Sequence, residues 1–405
     1  MRIAYIDVNC QGSSTGKIVY DLYTQSRADG HTAAICYGRG PVVEGEQIYK
    51  FGLDWETQFH ALMTRLTGWT GYFSPFSTRR LIRFLDDFRP DVVHIHELHA
   101  YFVNLKPLLR YLAEQKIPVV HTLHCEFSYT GKCGYAYECE NWKHQCGNCP
   151  HLQDYPKTLW FDHTAAMQEE KKRLFSALDK LVITTPSGWL AERAKHSFLE
   201  TREIQVVHNG IDTTQVFHPQ PCEHLREKYR IRPEEKVVLA VAPALMSQRK
   251  GGRWVLKLAQ AMAQENIRFM LVGVSDLSES FPANVTAVGL IRDQLELAAH
   301  YSLADCFVIC SERETFSMTC AESLCCGTPV AGFGSGAPET VFLPPTAAFV
   351  PYGNLEALSA QVGGYLETGL SREEISWEGR RRYSVETMYQ QTLALYYQLT
   401  EEKPQ

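Results

Sequence analysis

Residues 314–327 read E-T-F-S-M-T-C-A-E-S-L-C-C-G, in which two carboxylates, Glu314 and Glu322, are separated by seven residues. The apolar run D-C-F-V-I-C (305–310) precedes them and predicts a buried parallel strand. Residues 319–326 predict a helix that ends at the glycine that follows. Glu314 is therefore expected in a loop at the carboxyl end of a strand, where open α/β sheets bind ligands.

The predicted helix start, at residues 316–319, presents free backbone N–H groups that form an anion site by geometry. Because a carboxylate beside an anion site is unfavourable, Glu314 is expected to face a hydroxyl-rich group rather than phosphates. Two acidic residues at this spacing are equally compatible with solvated surface charges, so other features must decide between the two interpretations.

The combination of Glu314, Phe316, Glu322 and G-T-P (327–329) resembles the E-x7-E signature of glycosyltransferase family 4. Members of this family are retaining, nucleotide-sugar-dependent enzymes with two facing Rossmann-like domains, the GT-B architecture. The resemblance implies that Glu314 contacts the donor sugar and that Glu322 hydrogen-bonds the ribose hydroxyls. The amides near the helix start would complete the donor site, which then includes Phe316, Ser317 and Met318.

Length and composition agree with two α/β domains. The chain has 405 residues, of which 45% are hydrophobic, enough for two cores. A net charge of −6 gives no nucleic-acid signature. We recognise no signal peptide, and no run of about 18 apolar residues predicts a transmembrane helix. The 13 cysteines are expected to be reduced thiols. We therefore expect a cytoplasmic protein.

The resemblance also predicts the domain bounds. Residues 1–215 would form an N-terminal Rossmann-like acceptor domain that carries a Cys-rich insert at 125–150. Residues 216–380 would form the nucleotide-sugar domain, and residues 381–405 a C-terminal helix that crosses back to the first domain.

A glycine-containing loop, Q-G-S-S-T-G-K (11–17), follows the first predicted strand, residues 2–9. It matches neither a P-loop nor a complete G-x-G-x-x-G motif, but its glycines permit close approach of the backbone to a ligand. In the family the corresponding loop lies near donor phosphates and acceptor, which assigns Gly12, Thr15 and Gly16 to the site.

Histidines mark the ends of two predicted strands, D-V-V-H-I-H-E (91–97) and P-V-V-H-T-L-H (118–124). A metal site built from these four histidines competes with a metal-free polar cleft. The resemblance favours the cleft: it implies a catalytic role near the donor sugar for His124, and positions on the acceptor side for His96, Glu97 and Asn209.

The stretch T-L-H-C-E-F-S-Y-T-G-K-C (122–133) resembles the T-L-H-D-x-W-x-F-T-G-x-C pattern of bacterial polysaccharide glycosyltransferases. Here Cys125 replaces the usual Asp and Phe127 the usual Trp. Any role of that Asp is thereby in doubt, although Glu126 could partly substitute for it.

Four cysteines in the insert have five, six and two residues between them: Cys133, Cys139, Cys146 and Cys149. This spacing is compatible with a structural zinc site, without being that of a standard zinc finger. Free thiols or a redox-labile pair are the alternatives.

A basic pair, Arg249 and Lys250, precedes two glycines at a predicted strand-to-helix turn. Arg offers a bidentate fork to a diphosphate and Lys a point charge, and the glycines allow close approach. Many relatives carry an arginine where this chain has Leu245. With this positive charge available, no catalytic metal is expected.

Residues 54–88 predict a largely helical segment with a break at Pro75. Its part from Trp69 to Phe88 combines aromatic residues with Arg79, Arg80 and Arg83, and could rest on a membrane surface. The alternative is a helix that simply packs its apolar stripe on the sheet.

These observations predict a retaining glycosyltransferase that transfers a sugar from a UDP- or GDP-sugar to a glycan, lipid-linked and part of a bacterial surface polysaccharide. Weak contact with the inner face of the cell membrane is expected, and binding of nucleic acid is not. The alternatives are a nucleotide-sugar epimerase or hydrolase of the same architecture, and a zinc-clamped binding module without catalysis.

Overall fold

The computed structural model describes residues 1–401, which divide into two α/β units. The first unit comprises Met1–Val207 together with the chain from Met388 onward, and the second comprises His208–Thr387. The sequence places these divisions after residues 215 and 380. The terminal helix begins in the second unit, and its residues from Met388 onward belong to the first.

The first unit is built on a seven-stranded sheet of order β3-β2-β1-β4-β5-β6-β7, in which all paired strands are parallel. Its strands are β1 Arg2–Asp7, β2 Thr32–Tyr37, β3 Ile48–Lys50, β4 Val92–Ile95, β5 Val119–Thr122, β6 Leu181–Thr185 and β7 Glu203–Val206. Its helices are α1 Ser14–Ala28, α2 Asp54–Thr67, α3 Pro75–Phe88, α4 Leu105–Glu114, α5 Thr164–Ser176 and α6 Gly188–Lys195.

The second unit is built on a six-stranded parallel sheet of order β10-β9-β8-β11-β12-β13. Its helices are α7 Glu223–Lys228, α8 Gly252–Ala261, α9 Gln294–Leu303, α10 Met318–Cys325, α11 Pro338–Val341, α12 Leu355–Glu367, α13 Arg372–Tyr383 and α14 Val385–Thr400. Its strands are β8 Lys236–Val241, β9 Ile267–Val272, β10 Val285–Val288, β11 Cys306–Ile309, β12 Val330–Phe333 and β13 Ala347–Val350. Two parallel-sheet, Rossmann-like units confirm the predicted fold class.

The strands that position the two sites are almost wholly apolar because helices cover both faces of each sheet. Every residue of β4, β5 and β11 is buried. The polar side chains that follow these strands therefore emerge at the carboxyl edge of a rigid sheet, where parallel strands end side by side.

The helical segment at 54–88 breaks earlier than the sequence predicts. Helix α2 ends at Thr67, and Gly68 follows in the left-handed conformation with φ +78°. Pro75 does not break a helix but begins one, at the first position of α3, where its missing N–H costs no hydrogen bond. Within residues 1–401, no helix combines the length and the apolarity needed to cross a bilayer.

Candidate active site

Glu314 is fixed by its own backbone at the carboxyl edge of the second sheet. Its N–H donates to the carbonyl of Ser335 at 2.9 Å, and its carbonyl accepts the N–H of Ala337 at 3.1 Å. These bonds form a short parallel bridge between Glu314 and Gly336. The carboxylate is thus held in the loop between β11 and α10, and the residue is only 8% exposed.

The Lys250 ammonium donates to Oε1 of Glu314 at 2.6 Å. Lys250 ends a 3-10 turn, Gln248–Lys250, which follows β8, and β8 is the neighbour of β11 in the sheet. The loops after β8 and β11 meet because the strand order reverses between these two strands, the position where such sheets bind ligands. Glu314 balances the charge of Lys250, so an incoming anion would compete with the carboxylate for the ammonium.

Two glycines allow the turn that carries Lys250 to lie against the end of β11. Gly251 has φ +73°, and a Cβ there would come within 2.0 Å of the carbonyl oxygen of Cys310. A Cβ on Gly252 would lie 2.6 Å from the carbonyl oxygen of Leu245. Leu245 is buried in the core of this unit, whereas Arg249 is half-buried in the turn itself.

The start of α10 is the second source of positive potential in this site. Ser317 caps the helix with its hydroxyl, which accepts the N–H of Cys320. Its backbone has φ +84°, a strained conformation for a residue with a Cβ, and such strain is concentrated at functional sites. Thr319, in the first turn, lines a cavity of about 30 Å³ together with Lys250. An ammonium and a helix N-terminus therefore share one small cavity, as an anion site requires.

Glu322 lies one turn further along α10 and is half-buried. The hydroxyl of Tyr301, on α9, donates to its Oε2 at 2.9 Å. Burial raises the pKa of Tyr301 well above its usual value, so the phenol keeps its proton and remains a donor. Phe316 is buried, and Met318 is half-buried.

Asn209 belongs to the second unit, although the sequence assigns it to the acceptor domain. The neighbouring His208 packs its ring against Phe316, with 5.9 Å between centroids. The chain at 208–209 therefore lies beside the α10 loop of its own unit.

In the first unit, Asp7 ends β1 with a fully buried carboxylate that our sequence reasoning missed. Its Oδ2 accepts the Asn9 N–H and the Thr15 hydroxyl, each at 3.2 Å, while Oδ1 has no partner in the described chain. Burial, and then repulsion from Glu97, raises the pKa of Asp7 to about 7. The signal was present in the sequence: a lone acidic residue directly follows four buried residues, 3–6, of the strand.

The loop after β1 brings its predicted residues to this carboxylate. Thr15 contacts Asp7 directly, and Ser13 caps α1 by accepting the N–H of Gly16 at 3.0 Å. A Cβ on Gly16 would lie 2.9 Å from the carbonyl oxygen of Asn9, so glycine is required there. Gly12 has no such crowding.

The four histidines make two different kinds of contact, and their ring nitrogens are not gathered into one cluster. His94 bonds Tyr396 and Thr122, at 2.6 and 2.7 Å, and His121 bonds the Ile95 carbonyl and Ser128, at 3.0 and 2.8 Å. His96 and His124 instead bond each other, Nδ1 to Nε2, at 3.0 Å. Burial lowers the pKa of His124 to about 4, so it is a neutral imidazole at pH 7.

Glu97 forms a second cluster, with His99 and Cys125, that the sequence did not reveal. His99 Nε2 lies 2.6 Å from Glu97 Oε2, and Cys125 Sγ lies 3.8 Å from the same oxygen. Burial lowers the pKa of His99, but Glu97 and Cys125 outweigh burial and raise it well above its usual value. The cluster is therefore an ion pair with a thiol beside it, at the position where the resembling pattern has Asp.

Glu126 does not substitute for that missing Asp. Its carboxylate is completely buried and accepts bonds from Arg193, the Tyr129 hydroxyl and the Ala136 N–H, at 2.7, 3.0 and 2.7 Å. These contacts anchor the insert to α6, so Glu126 has a structural role.

Comparison with known proteins identifies two consecutive family regions. Residues 15–215 match the model of Glycosyltransferase Family 4, and residues 235–368 match that of Glycosyl transferases group 1. The putative colanic acid biosynthesis glycosyl transferase WcaC of Escherichia coli K12 is 27% identical over 259 residues, 62% of this chain and 62% of that protein. The alpha-monoglucosyldiacylglycerol synthase of Acholeplasma laidlawii is 23% identical over 290 residues, 66% of each protein. The chain thus spans slightly under two thirds of the length of these relatives.

Among solved structures, the fold is similar to that of HepE from Anabaena in complex with UDP-glucose. The TM-score is 0.62 with 15% identity, over 97% of this chain and 99% of HepE. Similarity at this identity shows the fold, and the two family regions supply the classification. The chain belongs to glycosyltransferase family 4 and has the two Rossmann-like domains of the GT-B architecture.

Proposed function

We propose that this protein is a retaining glycosyltransferase that transfers a sugar from a UDP- or GDP-sugar to a glycan in bacterial surface polysaccharide synthesis. One observation carries the proposal: Lys250 and the N-terminus of α10 share a cavity beside Glu314, at the strand-order reversal of the second sheet. That arrangement suits a diphosphate next to a hydroxyl-rich sugar. The name of the E. coli relative supports the polysaccharide class.

The proposed roles follow from charge. Lys250, Arg249 and the α10 amides stabilise the negative charge that develops on the departing diphosphate. Glu314 binds sugar hydroxyls, and Glu322, oriented by Tyr301, binds the ribose. Because these residues supply the positive charge, we expect catalysis without a divalent metal.

The first unit is proposed to bind the acceptor. Its polar edge offers the Glu97 carboxylate, which can accept from sugar hydroxyls, together with Asp7, His96 and the neutral His124, whose imidazole has one donor and one acceptor nitrogen. Gly12, Thr15 and Gly16 shape the loop beside these groups.

A donor screen tests the proposal. In buffer with EDTA and no added metal, UDP- or GDP-sugars should raise the melting temperature, because ligands that bind only the folded state stabilise it. ADP-sugars serve as the comparison. Product analysis with an acceptor should then show a glycoside that retains the donor's anomeric configuration. An epimer or free sugar formed without acceptor would instead identify an epimerase or hydrolase, and the absence of any nucleotide effect would contradict enzyme function in general.

We further propose that the acceptor is lipid-linked and that the protein works at the cytoplasmic face of the membrane. The name of the A. laidlawii relative, a glycolipid synthase, supports a membrane acceptor. The proposed surface keeps Phe76 and the three arginines of the predicted segment Trp69–Phe88, but not the rest of that segment. Leu81 and Leu85 of α3 are buried in the core, and Trp69 packs against Tyr72 and His163.

The exposed apolar stripe lies on α2 instead. Four of its residues, spaced as one helical face, are between 38 and 56% exposed: Trp55, Phe59, Leu62 and Leu66. Trp55 contacts the exposed ring of Phe76, and these two rings line an open groove of about 460 Å³ with Arg79, Arg80 and Arg83. Large apolar side chains bordered by arginines match an anionic bilayer surface.

Liposome co-sedimentation tests this surface. Replacing Arg79 and Arg83 with Glu, or Trp55 and Phe59 with Ser, should release the protein from anionic vesicles at low salt, since each arginine is worth roughly 1 kcal/mol near such a surface. Donor-induced stabilisation should be unchanged. Arg292→Glu, an exposed arginine in the second unit, is the matched control. If the wild-type protein stays in the supernatant at low salt, the proposed membrane contact is wrong.

A further inference from the structure

The insert between β5 and α5 is a long chain segment with little regular structure. In residues 123–163 the structure has one 3-10 turn, Asn141–Lys143, and otherwise loops and turns. It nevertheless buries Phe127, Tyr129 and Trp142 almost completely. Loops of this length without their own helices or strands are uncommon in compact domains, and cross-links across such loops stabilise them.

Four thiols line one small cavity inside this insert, although none of them is in a disulfide. The cavity measures about 10 Å³, room for about one water-sized atom. It is lined by Cys133, Cys139, Cys146 and Cys149, which come from three different turns of the chain. Cys133 is buried, and the other three cysteines are half-buried.

A backbone N–H group points at one of these sulfur atoms. The N–H of Gly131 donates to Cys146 Sγ at 3.2 Å. Such a bond stabilises negative charge on sulfur, which is the form that binds metal.

Two buried lysines hold the walls of the cavity together. Lys132 Nζ donates to the carbonyls of His151, Leu152 and Asp154, at 2.9, 2.9 and 3.2 Å. Lys171 Nζ donates to those of Phe127, Thr130 and Gly131, at 2.6, 3.0 and 3.2 Å. Three acceptors around each nitrogen match the three N–H groups of an ammonium. Burial lowers the pKa of Lys171 to about 7, and positive charge on either lysine would offset part of the net −2 charge of a zinc ion with four thiolates. Asp162, bonded to the Cys149 N–H, is the acidic neighbour.

We propose that Cys133, Cys139, Cys146 and Cys149 bind one structural zinc ion that clamps the insert. Four thiolates are a soft donor set that selects zinc in a tetrahedral, closed site, without an open position for catalysis. The thiols are less tightly gathered than Glu97, His99 and Cys125, whose ligand atoms all lie within 4.8 Å of one another. The ion would therefore draw the sulfur atoms inward, to about 2.3 Å from the metal. This site is independent of the proposed transfer reaction.

Elemental analysis of the full-length protein, purified under reducing conditions with zinc in the medium, tests the proposal. We expect about one zinc per chain in the wild type and less than about a tenth of that in Cys149→Ser. Cys149→His, which restores a zinc ligand, should recover most of the metal. Cys222→Ser, at a half-buried thiol of the second unit, is the control and should keep full zinc.

Cobalt substitution separates this site from the other cluster. Cobalt-loaded wild type should show the intense thiolate-to-metal absorption of a tetrahedral thiolate site, lost in Cys149→Ser and kept in Cys125→Ala. Loss of the spectrum and the zinc in Cys125→Ala alone would place the metal at Glu97 and His99 and overturn the proposal. A metal-free wild type with four thiols in the insert open to alkylation would overturn it as well.

Discussion

Replacing Glu314 with alanine should lower turnover with the preferred nucleotide-sugar roughly a hundredfold or more, a loss of about 3 kcal/mol in transition-state stabilisation. The carboxylate is fixed by the bridge to Gly336 and is expected to hold the donor sugar during transfer. The affinity for the free nucleotide should change little, because Lys250 and the α10 amides remain. Steady-state kinetics and nucleotide titration of the same variant measure both quantities.

Four further variants show whether that loss is specific to Glu314. Glu322→Ala should mainly weaken nucleotide binding, and Tyr301→Phe should do so to a smaller degree, because it removes only the hydrogen bond that orients Glu322. Lys250→Ala combined with Glu314→Ala should be strongly non-additive, since the two side chains are in contact. Glu356→Ala, an exposed glutamate on α12, should leave all parameters unchanged. If Glu314→Ala weakens nucleotide binding while Glu322→Ala spares it, the two assignments are reversed.

Replacing Asp7 with asparagine should stabilise the protein relative to wild type at pH 8 more than at pH 4. The pKa of Asp7 is about 7 in the folded protein and near 3.9 in an unfolded chain. A carboxyl group with a raised folded pKa contributes stability that is present at low pH and is lost as the pH rises towards 7. The difference in unfolding free energy between Asp7→Asn and wild type should therefore grow by roughly 4 kcal/mol from pH 4 to pH 8.

Denaturant unfolding at several pH values measures this difference. Asparagine keeps an oxygen that can accept from Asn9 and Thr15 and leaves no buried charge, so the comparison isolates ionisation of the carboxylate. Asp87→Asn, at an exposed carboxylate of α3, is the matched control and should show little pH-dependent difference. A difference for Asp7→Asn that is equal at pH 4 and pH 8 would show that the carboxyl group is ionised normally in the folded protein.

Much of the fold could be predicted because its signals are local. The predicted strand at 305–310 corresponds to β11, and the predicted helix at 319–326 corresponds to α10. Each predicted end lies one residue from the observed end. An apolar run and a helical period depend on neighbours a few positions apart, and a parallel sheet then places the following loop at its carboxyl edge. The expectation for Pro75 was wrong because proline is equally suited to begin a helix, and the residues alone do not distinguish the two uses.

The sequence by itself determined the fold class, the family and the position of Glu314 and Glu322 around the start of one helix. The tertiary structure alone decided that Lys250, 64 positions away, bonds to Glu314, that the Asp7 carboxyl group is buried, and that Glu97 pairs with His99. It also decided that the apolar stripe of α2 faces outward while that of α3 packs inward. The physical reason is the same in each case. Which side chains meet, and which helical face stays in water, depends on strand order and on what packs alongside, and neither is encoded in local periodicity.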